Sequence, residues 1–146
     1  MNLNKIQEFA KKILRNSTKT KNSLSSLAKD NCSELTRLVG CFILKSQSGV
    51  TVYVLKGDRV FGKKQSHDIL ALHDKNGVFV IDPSVWQFFP NKKSILISNS
   101  KNIKDAIKSA EKIYGGKWKV SEKLSLKKCL KNQKKWISVI RKNNQK

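Results

Sequence analysis

Acidic residues are scarce in this chain. Its 146 residues include 10 Asp and Glu against 31 Lys and Arg, a formal net charge of +21. Arginine is scarce too: only Arg15, Arg37, Arg59 and Arg141 interrupt the lysines. Lysine-rich charge favours point attraction to anions over planar, bidentate recognition. With 2 Pro and 7 Gly the composition excludes a collagen-like or low-complexity chain. No apolar run is long enough for a transmembrane helix, and the N-terminus lacks the apolar centre of a signal peptide. The 3 Cys are an odd number without a Cys-x-x-Cys pair. That argues against a disulfide framework and against structural zinc. Lys56-Gly57-Asp58 is not followed by the Gly-Lys-Ser/Thr of a phosphate loop. No cofactor or metal is expected.

What is present suffices for one domain over residues 1–146, with 38% apolar residues to form its core. Charge divides the chain into three parts. Residues 1–29 carry seven cations and one acid, residues 30–98 nine and six, and residues 99–146 fifteen and three. A nearly balanced centre is thus flanked by basic ends. Such ends suit RNA, DNA, an anionic membrane or an acidic protein, although solvated lysine faces alone also account for the composition.

Leu3, Ile6, Phe9, Ala10, Ile13 and Leu14 recur at helical spacing and predict an amphipathic helix over residues 3–15. Leu24, Leu27 and Ala28 suggest a short helical turn. Leu35, Leu38, Val39, Phe42 and Ile43 fall at i, i+3, i+4, i+7 and i+8, the stripe of a core-facing helix. Asn31 with Glu34 three residues on resembles a capping box, so this helix begins at Cys32. The period then changes. Val50 to Leu55 reads as a strand, Lys56-Gly57-Asp58 as a turn and Val60-Phe61 as a short strand. Ser66 to Leu72 and Val78 to Asp82 read as a hairpin, and Ser94 to Ile97 as another strand. Ile103, Ala106, Ile107, Ala110, Ile113 and Tyr114 predict a helix closed by Gly115-Gly116. Leu126, Leu130, Ile137 and Ile140 suggest a last, very basic one. Helices, then strands, then helices argue for an α+β fold.

Cys32, His67 and Asp82 are the residues able to carry chemistry together. Singly, each has a bland role: a buried thiol, a surface His, a turn-forming Asp before Pro83. Jointly, a Cys at a helix start is favoured as thiolate by the helix dipole, which activates a nucleophile. His67 and Asp82 lie on the two strands of the hairpin, and their facing depends on register. A loop of residues 73–76 sets His67 opposite Asp82. A loop of 74–77 pairs Ile69 with Asp82 and leaves His67 on the same face, one diagonal away. A two-residue Asn76-Gly77 turn, favoured by turn chemistry alone, separates the two. Cys41 is nine residues from Cys32, Cys129 lies in the basic tail, and His73 falls in the turn. Trp118 and Trp136, set among lysines, and Trp86 suit either base stacking or anchorage of a small core.

The order of a Cys at a helix start, a His opening a strand and an Asp closing the next resembles papain-like cysteine hydrolases. Ser66-His67-Asp68-Ile69-Leu70-Ala71-Leu72 with Val78-Phe79-Val80-Ile81-Asp82-Pro83 looks like their His and Asp motifs in small members. Among these, the papain-fold toxin domains of bacterial polymorphic toxins are closest in size and basic character. The resemblance covers roughly residues 30–90. It implies a nucleophile-bearing helix packed on a small antiparallel sheet, with basic helices at both ends. It further implies a Cys32-His67-Asp82 triad that hydrolyses an amide, as glutamine deamidase or protease, and a neutralising immunity protein of acidic surface. The setting it implies is a secreted or injected effector acting in the target-cell cytoplasm. The Gln that such enzymes often carry upstream of the Cys is missing here. Ser26, Asn31 or the backbone N–H of Cys32 is left to serve the oxyanion. The alternative from another class is a nucleic-acid-binding or RNA-cleaving toxin that works through the basic C-terminal region.

Overall fold

The computed structural model describes residues 1–145. It shows an α+β architecture with five helices and one five-stranded antiparallel sheet. The elements are α1 (Leu3–Arg15), α2 (Leu24–Ala28), α3 (Cys32–Ser46), β1 (Thr51–Asp58), β2 (Ser66–Asp74), β3 (Gly77–Ile81), β4 (Leu96–Ser100), α4 (Ile103–Tyr114), β5 (Lys117–Lys123) and α5 (Leu126–Asn144). The strand order is β4-β3-β2-β1-β5. β2 is therefore central and apolar on both sides, and Ile69, Leu70, Ala71 and Leu72 are all buried.

Alternation along the strands divides these residues between two cores. Val52, Val54, Leu70, Leu72 and Ile81 join Ile6, Leu35, Val39, Ile43 and Ile140, so α1, α3 and α5 cover one face. Leu55, Ile69, Ala71, Val78 and Val80 join Ala106, Ala110 and Tyr114 under α4 on the other. α3 thus packs on the sheet, while the sheet's other face is closed by α4.

Several elements depart from the sequence reading. Lys56-Gly57-Asp58 is not a turn but the last third of β1. Gly57 is needed there because the Trp118 indole lies where a Cβ would stand, so the glycine serves close packing rather than chain reversal. Val60-Phe61 is not a strand but part of a 3-10 turn, Val60–Gly62, and both Arg59 (φ 58) and Phe61 (φ 53) are left-handed. β4 begins two residues later than expected. β5 was not anticipated, because four of its seven positions, Lys117, Lys119, Ser121 and Lys123, are polar and exposed. It is an edge strand, where lysine is common.

Two further corrections concern Cys and Trp. Cys41 and Cys129 form a disulfide that joins α3 to α5, with Cα atoms 5.6 Å apart. An odd cysteine count hid one pair and one free thiol. Trp86, Trp118 and Trp136 are all buried, 3%, 6% and 8% exposed. They anchor the cores and offer no face for base stacking.

Candidate active site

Cys32 is the first residue of α3 and, among the described residues, the only free cysteine; it is half-buried. The chain reaches it through left-handed Asp30 (φ 64) and Asn31. The first N–H groups of a helix have no partner within it, so Cys32 stands beside free donors. Asn31 does not cap them. Its side-chain N–H groups donate to Leu27 O (2.8 Å) and Asn144 Oδ1 (3.0 Å), and its oxygen accepts from Asn143 (2.9 Å). Both ends of that amide are committed to α5 and α2, which removes it as an oxyanion donor. Ser26 is exposed on α2 and lines a cleft of about 260 Å³ with Lys29, Asp30, Asn143 and Asn144, without Cys32. Of the three oxyanion candidates, the Cys32 backbone N–H is the one at the thiol itself.

The hairpin register is the second of the three considered. His73 pairs with Val78 and Leu70 with Ile81, and the ladder runs on to Asp74 with Gly77. Lys75-Asn76 is therefore the loop, and Asp82 follows in line with Ile69. His67 and Asp82 share the α4 face, one diagonal apart. His67 Nε2 and Asp82 Oδ2 are 2.7 Å apart with both side chains fully buried.

Asp82 is held on every side. Its backbone N–H donates to Ile95 O (2.8 Å). Oδ1 accepts from Ser84 N (3.0 Å) and Ser84 Oγ (3.2 Å), an Asx turn across Pro83. Oδ2 accepts from the Tyr114 hydroxyl (2.6 Å) as well as facing His67. A buried carboxylate with four such partners is fully satisfied. Tyr114 is the site residue that the sequence did not disclose. Periodicity placed it in the apolar stripe of α4, and nothing in that stripe tells which end of the ring is used.

The His67 ring is walled by aromatics: Phe88 edge-on at 4.7 Å, Tyr114 at 5.3 Å and Trp118 at 6.3 Å between centroids. Burial disfavours charge on the ring. The Asp82 carboxylate, through its charge and its hydrogen bond, outweighs this, and the adjoining Cys32 thiol adds to the effect; together they push the His67 pKa up to about 10. With Nε2 committed to Asp82, Nδ1 is buried without a hydrogen-bond partner. It is the ring atom left for the thiol. Burial, then the charge and hydrogen bond of Asp82, hold Tyr114 well above the usual tyrosine value, so it stays a neutral donor.

A second polar group ties the thiol helix to the imidazole strand. Arg37 Nη1 donates to Ser33 O (3.0 Å), Ser33 Oγ (2.8 Å) and Asp68 Oδ2 (2.9 Å), and Arg37 Nε to Glu122 Oε1 (2.6 Å). Thr36 Oγ1 donates to Asp68 O (3.1 Å), and Lys128 pairs with Glu122. Ser33 adjoins Cys32 and Asp68 adjoins His67, so these bonds fix one against the other.

Asp58, Arg59, Lys64, Gln65 and Ser66 line a cleft of about 460 Å³ just before His67. The larger groove, about 690 Å³, lies at the other end of α3 beside Phe42 and Ser46. That is about 20 Å from Cys32 along the helix axis, too far to serve the triad. Among the described residues, no group of three or more His, Cys, Asp and Glu is placed to hold a metal ion, and no helix is long and apolar enough to cross a membrane. No family model, no curated protein and no solved structure matches this chain.

Proposed function

We propose that the protein is a papain-like cysteine amide hydrolase. The observation that carries this reading is the division of the His67 ring: Nε2 is held by buried Asp82 and Nδ1 has no hydrogen-bond partner, while the Cys32 thiol is near enough to help raise the pKa of the ring. In the proposed reaction, His67 already holds the proton, and Cys32 Sγ attacks the amide carbonyl carbon as the thiolate paired with the charged ring. The oxyanion is met by the Cys32 N–H. His67 protonates the leaving nitrogen, the C–N bond breaks, and a thioester remains. Water, giving its proton to His67, then hydrolyses the thioester to a carboxylic acid and free thiol. If the nitrogen leaves as ammonia from a glutamine side chain, the outcome is deamidation. If it leaves as a peptide amine, the outcome is proteolysis. Asp82 orients the ring and balances its charge throughout.

Size, basicity and the triad order make an effector of the papain-fold toxin kind the natural setting, with an acidic immunity protein as partner and a target-cell cytoplasm as the site of action. The Cys41–Cys129 disulfide fits passage through an oxidising compartment. The RNA-directed alternative keeps the support of the lysines on α5 but loses that of the three tryptophans, which are buried.

The test is iodoacetamide labelling of Cys32 in mildly acidic buffer, followed by peptide mass spectrometry. Rapid labelling that His67→Ala slows by an order of magnitude or more is the expected result. Equal labelling of the two proteins overturns the reading.

A further inference from the structure

The start of α5 carries an apolar flank that no other part of the described chain covers. Cys129, Trp136 and Ile140 point inward. Leu126, Leu130 and Ile137 lie at i, i+4 and i+11, along one side of the helix. Leu126 is 46% exposed and Leu130 68%, while Ile137 is partly buried against the core. Large apolar side chains this exposed are otherwise few in the molecule. Lys127, Lys131, Lys134 and Arg141 border the flank on its solvent side. Glu122 neutralises Lys128, which is exposed but paired, while Lys45 reaches Gln133 from α3 and adds its charge to the helix surface.

We infer that this flank of α5 docks on an anionic lipid surface. A polyphosphate chain would pair with the lysines but leave both leucines in water. A fluid sheet of acidic headgroups takes the lysines as point charges and the leucines at the acyl boundary, and a convex helix flank fits its plane. Four cations beside two or three apolar residues over four turns is the pattern of a helix lying in an interface rather than crossing it. The inference does not depend on the chemistry of Cys32.

The experiment is co-flotation of the whole protein with phosphatidylcholine vesicles, made with and without phosphatidylserine. The wild type is expected to float only with the anionic vesicles. The paired substitution Leu126→Gln with Leu130→Gln, which leaves the net charge unchanged, is expected to weaken that partition about tenfold. A thermal midpoint equal to that of the wild type confirms that the fold is intact. If the variant unfolds, Leu130→Gln alone replaces it, with a smaller loss of the same sign. Flotation with both vesicle types alike, or partition unchanged in the leucine variants, overturns the inference. So does an equal loss of binding to poly-glutamate or to polyuridylate, which would assign the flank to an acidic protein or to RNA.

Discussion

Tyr114 and His67 meet at one atom. The phenol lies 2.6 Å and the imidazole Nε2 2.7 Å from the same carboxylate oxygen, Oδ2 of Asp82. The strand order makes this possible: His67 and Asp82 come from neighbouring strands, and α4 ends over them with Tyr114. Asp82 therefore has two duties, to carry the counter-charge of His67 and to satisfy a buried hydroxyl.

The two duties separate by mutation. Tyr114→Phe removes one donor and leaves the ion pair. It is expected to cost about 1 to 3 kcal/mol in urea unfolding and to change Cys32 labelling only a few-fold. Asp82→Asn keeps the shape but removes the counter-charge, and is expected to slow labelling by about two orders of magnitude or more. Equal effects on labelling would show that Tyr114 is as much a part of the proton chemistry as Asp82.

The raised His67 pKa fixes the sign of a pH dependence. The folded protein holds this proton more tightly than the unfolded chain, whose value is near 6.5. The stabilisation is complete below about 6.5 and is lost as pH rises through about 10. Denaturant midpoints should fall steadily across that window, by a few kcal/mol in total. His67→Gln should flatten the fall. Tyr114 adds nothing until pH passes the ordinary tyrosine value of 10.0, where the unfolded chain ionises and the folded one does not.

Arg37 is expected to position rather than to react. Arg37→Met frees Ser33, leaves Asp68 unpaired and leaves Glu122 with Lys128 alone, at a cost of about 3 kcal/mol. If the clamp sets the thiol against the ring, labelling of Cys32 falls at least tenfold at temperatures where the variant is still folded. Glu122→Gln leaves the bonds to Ser33 and Asp68 in place and serves as the control, with labelling near that of the wild type. A merely structural Arg37 would lower the midpoint of both variants and slow neither.

The disulfide should contribute roughly 4 kcal/mol, since it closes a loop across 88 residues. Cys41→Ser with Cys129→Ser, compared with wild type in guanidinium, reads this directly. Cys32 labelling in the folded variant tells whether α5 is needed to hold the turn at Asn31.

Legibility followed the strength of the local signal. α1 and the limits of α4 were readable because apolar spacing and terminal residues agree there; the start of α3 at Cys32 was also placed correctly, although Asn31 does not form the cap that suggested it. The hairpin was readable as such, but not its register. Asn76-Gly77 favoured a two-residue turn one position further on, whereas the observed two-residue turn is Lys75-Asn76, with Gly77 at positive φ as the first residue of β3. β5 was hidden because an edge strand with lysine at alternate positions has no apolar period. The Cys41–Cys129 bond was hidden because it joins two helices far apart in sequence. Asn31 misled because its amide pairs with residues 112 and 113 positions away. At the site, the spacing of Cys32, His67 and Asp82 was visible, whereas Tyr114 took a polar role at the end of an apolar stripe.

The bond between Cys41 and Cys129 also has a topological meaning. It makes a covalent ring of residues 41–129, which contains all five strands, α4 and thus His67, Asp82 and Tyr114. Cys32 stands just outside the ring, on the short stem that leads into it. A single cut anywhere within the ring opens it but leaves the molecule in one piece. Only a cut between Cys32 and Cys41 parts the nucleophile from its base, and that stretch is wound into the first turns of α3. A protease would have to unwind the helix before it could separate them.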